Sequence, residues 1–291
     1  MNYTDNLKLK KPEGTDFYNV EDFNENADIL EKYISDIDKI IAGGAVWNED
    51  ARYITAGSYT YTPDFTGKIG VLIVGGGGSG AAAKSSSAKY KVTGGASGYT
   101  NAIIMSVESG NSYSVIVGAG GDAVSYTSSS AGTVSGKDGG SSSFNGESAD
   151  GGGGGYANTS NPYYNPTGAS SGTSKADSAY GHANKLLVAY AAVDLTGNAP
   201  WQCHNPFTGE GMLAGGAGAY YDGSTRYVGE GGKGPDGIGG GSGSTTSPAE
   251  DGSDIGCGGG GILTSTISTT IVSGAGHDGA VIIYKLAKVE E

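Results

Sequence analysis

The residues that could do chemistry are few. Val74 runs into Gly75-Gly76-Gly77-Gly78-Ser79-Gly80, a match to the glycine fingerprint that lets backbone approach a dinucleotide pyrophosphate. That chemistry needs a helix directly after the glycines and an acidic residue about 20 positions on. Ala81-Ala82-Ala83-Lys84-Ser85-Ser86-Ser87 follows instead, and no Asp or Glu appears before Glu108. Cys203-His204, Cys257 and His277 offer soft ligands, but without the CxxC or HxxxH spacing that would converge them on a metal. Gly231-Gly232-Lys233-Gly234-Pro235-Asp236-Gly237-Ile238 fits one calcium-binding nonapeptide, a unit that works only when stacked, and the next nine residues do not repeat it. His182, His204 and His277 have no supporting nucleophile context. The reading is a chain that is not an enzyme and takes no cofactor or metal. Cys203 and Cys257 are too few for a disulfide framework and are read as free thiols.

Aromatic side chains between glycine bursts are the more informative signal. Tyr90, Tyr126, Tyr156, Tyr163, Tyr164, Tyr180, Trp201, Phe207, Tyr220, Tyr221 and Tyr227 all lie there. Tyrosine combines a large contact area, little entropy to lose and a hydroxyl, which suits recognition. These positions, Phe207 aside, are the candidate receptor-binding residues; half of the rings are expected only to cap the glycine body against water.

Something must hold those loops, and 56 glycines among 291 residues are a poor material for helices or strands. The bursts Gly118-Ala119-Gly120-Gly121, Gly151 to Gly155, Gly215-Gly216-Ala217-Gly218, Gly229-Glu230-Gly231-Gly232, Gly239 to Gly241 and Gly258 to Gly261 suggest close backbone packing. Without Cβ atoms, extended helices of three residues per turn can lie side by side and bond through their amides, the reason collagen needs glycine at its axis. At about 3.1 Å per residue a five-residue burst spans about 15 Å. The competing reading, a disordered low-complexity linker, sits badly with 19 Tyr, 16% charged residues and strand patterns on both sides.

Around that body the chain organises itself in order. Residues 1–21 form an N-terminal arm. Over 22–44, Phe23, Ala27, Leu30, Ile34, Ile37 and Ile41 recur at heptad spacing and predict a short trimerising coiled coil ended by Gly43-Gly44. An amphipathic helix docked on its own chain competes with it. Residues 45–117 predict a β-sandwich closed by a strand at 280–286, with Tyr99–Val107 and Tyr113–Val117 as a hairpin across 108–111. Residues 118–279 are the inserted glycine-rich region. If Gly75–Gly80 runs away from the sandwich, then 81–93, 122–135, 156–180, 198–210 and 220–228 are distal, and 141–150 and about 211–218 lie near the base. The fold class is mainly β.

Charge narrows the partners. The net charge of −13 argues against nucleic acid. Residues 118–279 hold fourteen Asp/Glu against five Lys/Arg, a local net of −9. Lys84, Lys89 and Lys91 hint at an anionic polymer. No apolar stretch is long enough for a membrane span, and Met1–Asn6 lacks the apolar core of a signal peptide.

The order of these segments carries a resemblance. Lys68-Ile69-Gly70-Val71-Leu72-Ile73-Val74 into four glycines, Gly98-Tyr99-Thr100-Asn101-Ala102-Ile103-Ile104, Ser112-Tyr113-Ser114-Val115-Ile116-Val117-Gly118-Ala119-Gly120-Gly121, Gly139 to Phe144, Gly151 to Gly155 and Asp278 to Tyr284 follow one another. The series resembles the glycine-rich domain of tail-fibre and receptor-binding proteins of tailed bacteriophages. The segment Pro12 to Asp28 is similar to the start of fibre proteins in phages of Gram-positive bacteria. The likeness covers roughly 5–45 and 53–286 and departs at 181–210, which is less glycine-rich. It implies packed polyglycine II helices whose distal loops bind a bacterial surface glycan or protein, a homotrimer joined to other tail or baseplate proteins through the N-terminus, and a place in the virion tail after synthesis in the host cytoplasm. A structural spacer without a receptor site is the alternative.

Overall fold

The computed structural model describes residues 2–3, 10–11, 45–85, 90–158, 203–209, 211–212, 216, 219–221, 226–228, 248–265 and 269–288. The expected coiled coil at 22–44 lies outside them. The chain divides into two compact units, Met1–Asn48 with Leu286–Glu291, and Glu49–Lys285. In the first, Asn2–Tyr3 pairs antiparallel with Lys10–Lys11. Among the described residues the structure is β and irregular, with no helix.

The main core is built on two open four-stranded sheets. One has the order Ala45–Tyr53, Ala280–Lys288, Gly67–Val74, Thr100–Val107; the other has Glu147–Ala149, Ser142–Phe144, Tyr113–Val117, Gly57–Tyr61. Their shared core includes Ile69, Val71, Ile73, Val107, Val115, Phe144, Val281 and Ile283, with Tyr61, Tyr113 and Phe144 stacked or tilted on one another. Within Gly67–Val74, Ile69–Val74 is a continuous buried run because both its faces are covered: Ile69, Val71 and Ile73 face this core, and Leu72 and Val74 are buried on the other side.

The 99–107 and 113–117 strands do not form the expected hairpin. Thr100–Val107 pairs with Gly67–Val74 over eight residue pairs, whereas Tyr113–Val117 pairs with Gly57–Tyr61 in the opposite sheet. The link between them is a corner. Gly110 takes a left-handed φ of 81° and donates its N–H to Pro63 O at 2.9 Å, so the chain turns across the core and not back along itself.

Residues 205–209 also depart from expectation, since they are not distal. Phe207 lies over Gly70 in the strand Gly67–Val74, and its ring centroid is 5.0 Å from that of Tyr284. Asn205 Nδ2 donates to the Tyr284 hydroxyl at 2.6 Å. Gly70 leaves the space that the Phe207 ring fills, and Asn205 satisfies a hydroxyl on a residue only 1% exposed. Gly70→Ala would drive a methyl into the ring and is expected to cost about 2 kcal/mol. In the Phe207→Ala background the same substitution should cost less than about 0.5 kcal/mol. Urea denaturation of the four proteins of this cycle measures both; equal costs in the two backgrounds would mean that the ring does not sit there.

The glycine body is wider than 118–279, and its centre is a stretch outside that range. Gly75, Gly78 and Ala81 donate their N–H groups to Tyr99, Ala96 and Thr93; Gly76 and Ser79 donate to Gly140 and Lys137; Gly77 and Gly80 donate to His277 and Gly274, all at 2.9–3.1 Å. Every third residue therefore addresses the same neighbour. The carbonyls follow the same rule: Gly76 and Ser79 accept from Gly152 and Gly155, Gly77 accepts from Gly121, and Gly78 and Ala81 accept from Gly259 and Ile262. Six segments thus surround 75–81.

Those six also bond to one another around the ring. Residues 93–99 bond to 150–156, which bond to 136–139. Gly140 bonds to Ala119, and 118–121 accept from Gly279 and Gly276. His277 and Gly274 donate to Cys257 and Gly260, and Gly95 and Gly98 close the circle on Gly259 and Gly256. Partner numbers show that the three segments taking the central N–H bonds run antiparallel to 75–81. Those giving bonds run parallel, and the two kinds alternate. None of these bonds belongs to a strand ladder, because successive residues point to different neighbours.

Such spacing leaves no room for side chains at the centre. A Cβ on Gly77 would overlap the Cys257 carbonyl, and one on Gly78 the Gly153 carbonyl. Ser79 is the exception; its hydroxyl accepts the Lys137 N–H at 2.8 Å. At several outward-facing N–H groups of the ring, carboxylates supply the acceptors. Asp278 accepts from Gly120 N and Ala56 N at 2.9 and 2.8 Å, Asp138 from Gly154 N at 2.8 Å, and Asp251 from Ala275 N at 2.6 Å. Part of the acidity read from the sequence is therefore structural: it completes the backbone hydrogen bonding that burial demands.

Candidate binding surface at the far end of the bundle

Residues 75, 99, 118, 140, 150 and 279 adjoin the sandwich, so the turns at the other end lie furthest from it. That end carries three small sheets. Gly132–Val134, Ala82–Lys84 and Ile262–Thr264 form one; Ala157–Asn158, Tyr90–Val92, Ala219–Tyr221 and Arg226–Val228 another; Ser125–Tyr126 and Ile271–Val272 a third. The first is the middle layer. Ala81, Ala83 and Leu263 pack on Val92 and Ala219 of the second, while Ala82 and Ile262 pack on Val124 and Ile271 beside the third. Alternation along Ala81-Ala82-Ala83-Lys84 is what supplies both contacts.

Lys84 follows that alternation onto the side of Ala82. It is fully buried, donates from Nζ to Ser128 O at 2.9 Å, and stands 5.3 Å from the centroid of the Tyr126 ring. The lysine trio read as a hint of an anionic partner therefore loses this member to the interior. Tyr126 is held as well: it is half-buried between Lys84 and Gly132, whose missing side chain gives its hydroxyl space. Of the candidate tyrosines, Tyr126 thus packs the end of the bundle. Tyr156 is 51% exposed. It follows Gly155, its N–H is held by Thr93 Oγ1 at 2.7 Å and its carbonyl by Thr93 N at 2.9 Å, so an exposed ring is mounted on a hydrogen-bonded backbone.

Four more candidates come together by strand pairing. Tyr90 is opposite Tyr221, and Tyr220 is opposite both Lys91 and Tyr227. Tyr90 is far along the chain from Tyr220, Tyr221 and Tyr227, and its meeting with them in one sheet had no signature in the sequence. Tyr163, Tyr164, Tyr180 and Trp201 lie outside the described residues, as do Phe23, Ala27, Leu30, Ile34, Ile37 and Ile41, and the Gly231–Ile238 nonapeptide.

The geometry bears on the chemistry considered first. Gly75–Gly80 is enclosed by backbone on all six sides and continues into a strand, so its fingerprint glycines have no space for a pyrophosphate. Cys257, which is fully buried, and His277 lie on adjacent segments joined by a backbone hydrogen bond. His277 Nδ1 is 3.0 Å from Asp278 O. Among the described residues no group of three or more His, Cys, Asp or Glu converges as metal ligands, and no helix is long and apolar enough to cross a membrane.

No curated protein matches the chain. Residues 54–285, which hold most of the sandwich core, the enclosed glycine segments and the far-end sheets, match the glycine-rich domain, and the chain belongs to that family.

Proposed function

We propose that this chain is a receptor-binding tail-fibre protein of a tailed bacteriophage or phage-tail-like particle, and that it attaches the particle to a bacterial, Gram-positive host. The observation that carries the reading is the mounting of tyrosine-bearing strands and turns on a body of seven laterally bonded segments, at the end away from the sandwich. Loops on a stiff scaffold commonly carry recognition. The three-residue rhythm of hydrogen-bond partners supports reading the segments as polyglycine II helices. The heptad residues Phe23 to Ile41 would join three copies, and the N-terminal arm would dock on other tail or baseplate proteins. Three copies per fibre turn weak single contacts into firm adhesion.

Fluorescent full-length protein titrated onto intact cells of a panel of Gram-positive strains tests this. Saturable binding to some strains, displaced by unlabelled protein, is the expected result. Absence of saturable binding on every strain would overturn the receptor role and leave a spacer.

A further inference from the structure

Asn145 is the only asparagine in the sequence that precedes a glycine. With Gly146 it joins Ser142–Phe144 to Glu147–Ala149 in a two-residue turn, at φ values of 47° and 91°. An Asn-Gly pair suits such a hairpin because both central residues need positive φ. The Phe144 and Glu147 pair closes the turn, and Ser114 O accepts the Asn145 N–H at 2.9 Å. The groups that could react are not held. Asn145 and Gly146 are exposed, and a Cβ on Gly146 would meet nothing within 4 Å. Among the described residues, no hydrogen bond engages the Asn145 amide or the Gly146 N–H. The Asp-Gly pairs of the bundle differ. Asp138 and Asp278 hold neighbouring backbone N–H groups, and Gly139 N and Gly279 N are donated to Gly152 O and Gly118 O.

We infer that Asn145 is a site of spontaneous deamidation in the folded protein, and that its isoaspartyl product opens the Ser142–Ala149 hairpin. The Gly146 nitrogen, deprotonated by hydroxide, attacks Asn145 Cγ. The N–Cγ bond forms, the Cγ–Nδ2 bond breaks, and ammonia leaves with a proton taken from water, closing a succinimide. Water then adds to a ring carbonyl. Cleavage of N–Cγ gives aspartate, and cleavage of the bond from N to the α carbonyl carbon gives isoaspartate. Water is consumed, ammonia is released and nothing is oxidised. Glycine at 146 favours ring closure, having no Cβ to obstruct the approach and a backbone free to adapt. Both products add a negative charge. Isoaspartate also routes the main chain through Cβ and Cγ, which makes it one atom longer. A two-residue turn sets hairpin register, so the longer link no longer brings Phe144 opposite Glu147. Glu147–Ala149 is an edge strand whose one neighbour in its sheet is Ser142–Phe144, so it is the strand that loosens.

The test incubates the full-length chain for weeks at mildly alkaline pH, folded and in urea, beside the variant Asn145→Gly, whose glycine accepts the positive φ and has no amide to lose. Peptide mass spectrometry after digestion with endoprotease Asp-N, which cuts before aspartate and not before isoaspartate, reads the products. In the folded chain Asn145 should convert at least about tenfold faster than Asn111, which is also exposed but precedes Ser112 and donates from Nδ2 to Glu108 Oε2 at 3.1 Å. Isoaspartate should be among the products. In the isoaspartyl fraction, separated by anion exchange, amides of 142–149 should exchange at least about tenfold faster than in fresh protein, and aged Asn145→Gly should be unchanged. Conversion in urea but not in the folded chain, or no faster than at Asn111, would overturn the site. Aspartate without isoaspartate would overturn the succinimide step. An isoaspartyl fraction that exchanges 142–149 at the fresh rate would overturn the opening of the hairpin.

Discussion

Gly77→Ala and Gly78→Ala are each expected to destabilise the protein by more than about 3 kcal/mol, beyond the ordinary cost of one excess methylene in a core. The reason is what the new methyl would meet. At both positions it falls on a backbone carbonyl of a neighbouring segment, Cys257 or Gly153, and not on a side chain that could rotate away. Each segment is itself bonded on several sides, so a shift that relieved one overlap would stretch hydrogen bonds to the others. Replacing glycine by alanine also restricts the unfolded chain, which favours folding by about 0.4–1 kcal/mol. That gain is too small to offset the clash. Gly67→Ala is the matched control: its Cβ would only touch the Phe65 ring at 3.4 Å, and stability should change by less than about 0.5 kcal/mol. Thermal denaturation reads the contrast as a fall of roughly 6 °C or more against almost none. Equal behaviour at Gly67, Gly77 and Gly78 would rule out the enclosed packing of the central segment.

Amide exchange gives the second large effect. A glycine-rich stretch judged by composition exchanges at the rate of an open chain. Here the N–H groups of residues 75–81 are all donated to carbonyls and enclosed by six further segments. Their opening requires separation of the bundle, which ties their protection to global stability. For a global stability of about 5.5 kcal/mol or more the central amides exchange at least about 10⁴-fold slower than free peptide. Peptides covering 75–81 and 93–99 should remain protonated in hydrogen-exchange mass spectrometry long after the exposed corner at 108–112 is deuterated. Simultaneous fast exchange of both regions is incompatible with the ring of hydrogen bonds.

These two results bear on how the protein stores stability. The sandwich is held by burial of Ile, Val and Tyr, while the body beyond it is held by amides paired with amides, each worth about 1 kcal/mol net. Carboxylates such as Asp278, which bonds Gly120 in one segment and Ala56 in the sandwich connection, stitch the two together.

Several features were legible in the residues alone. The run Ile69 to Val74 announced a buried strand, Ala280–Tyr284 another that closes the sandwich, and the glycine bursts announced backbone packing, because β-branched alternation and missing side chains act locally. The rest depended on neighbours. Whether Tyr113–Val117 returns beside Thr100–Val107 or crosses to the other sheet is decided by which strand each meets, and both choices share the same alternation. Phe207 looked like a loop aromatic until Gly70 offered it a seat, and Lys84 like a surface cation until Ser128 and Tyr126 enclosed it.

What the amino-acid order determined by itself is the material: which stretches have bulk to bury and which have none. What only tertiary structure decided is the arrangement of that material. The first glycine burst, outwardly a prelude to the others, is the axis that 118–121, 151–155 and 258–261 surround together with three further segments, since a hydrogen bond between distant residues leaves no trace in the composition of either. The meeting of Tyr220 and Tyr227 with Lys91 has the same origin, in strand register set by Val92 and Ala219 finding Ala81, Ala83 and Leu263.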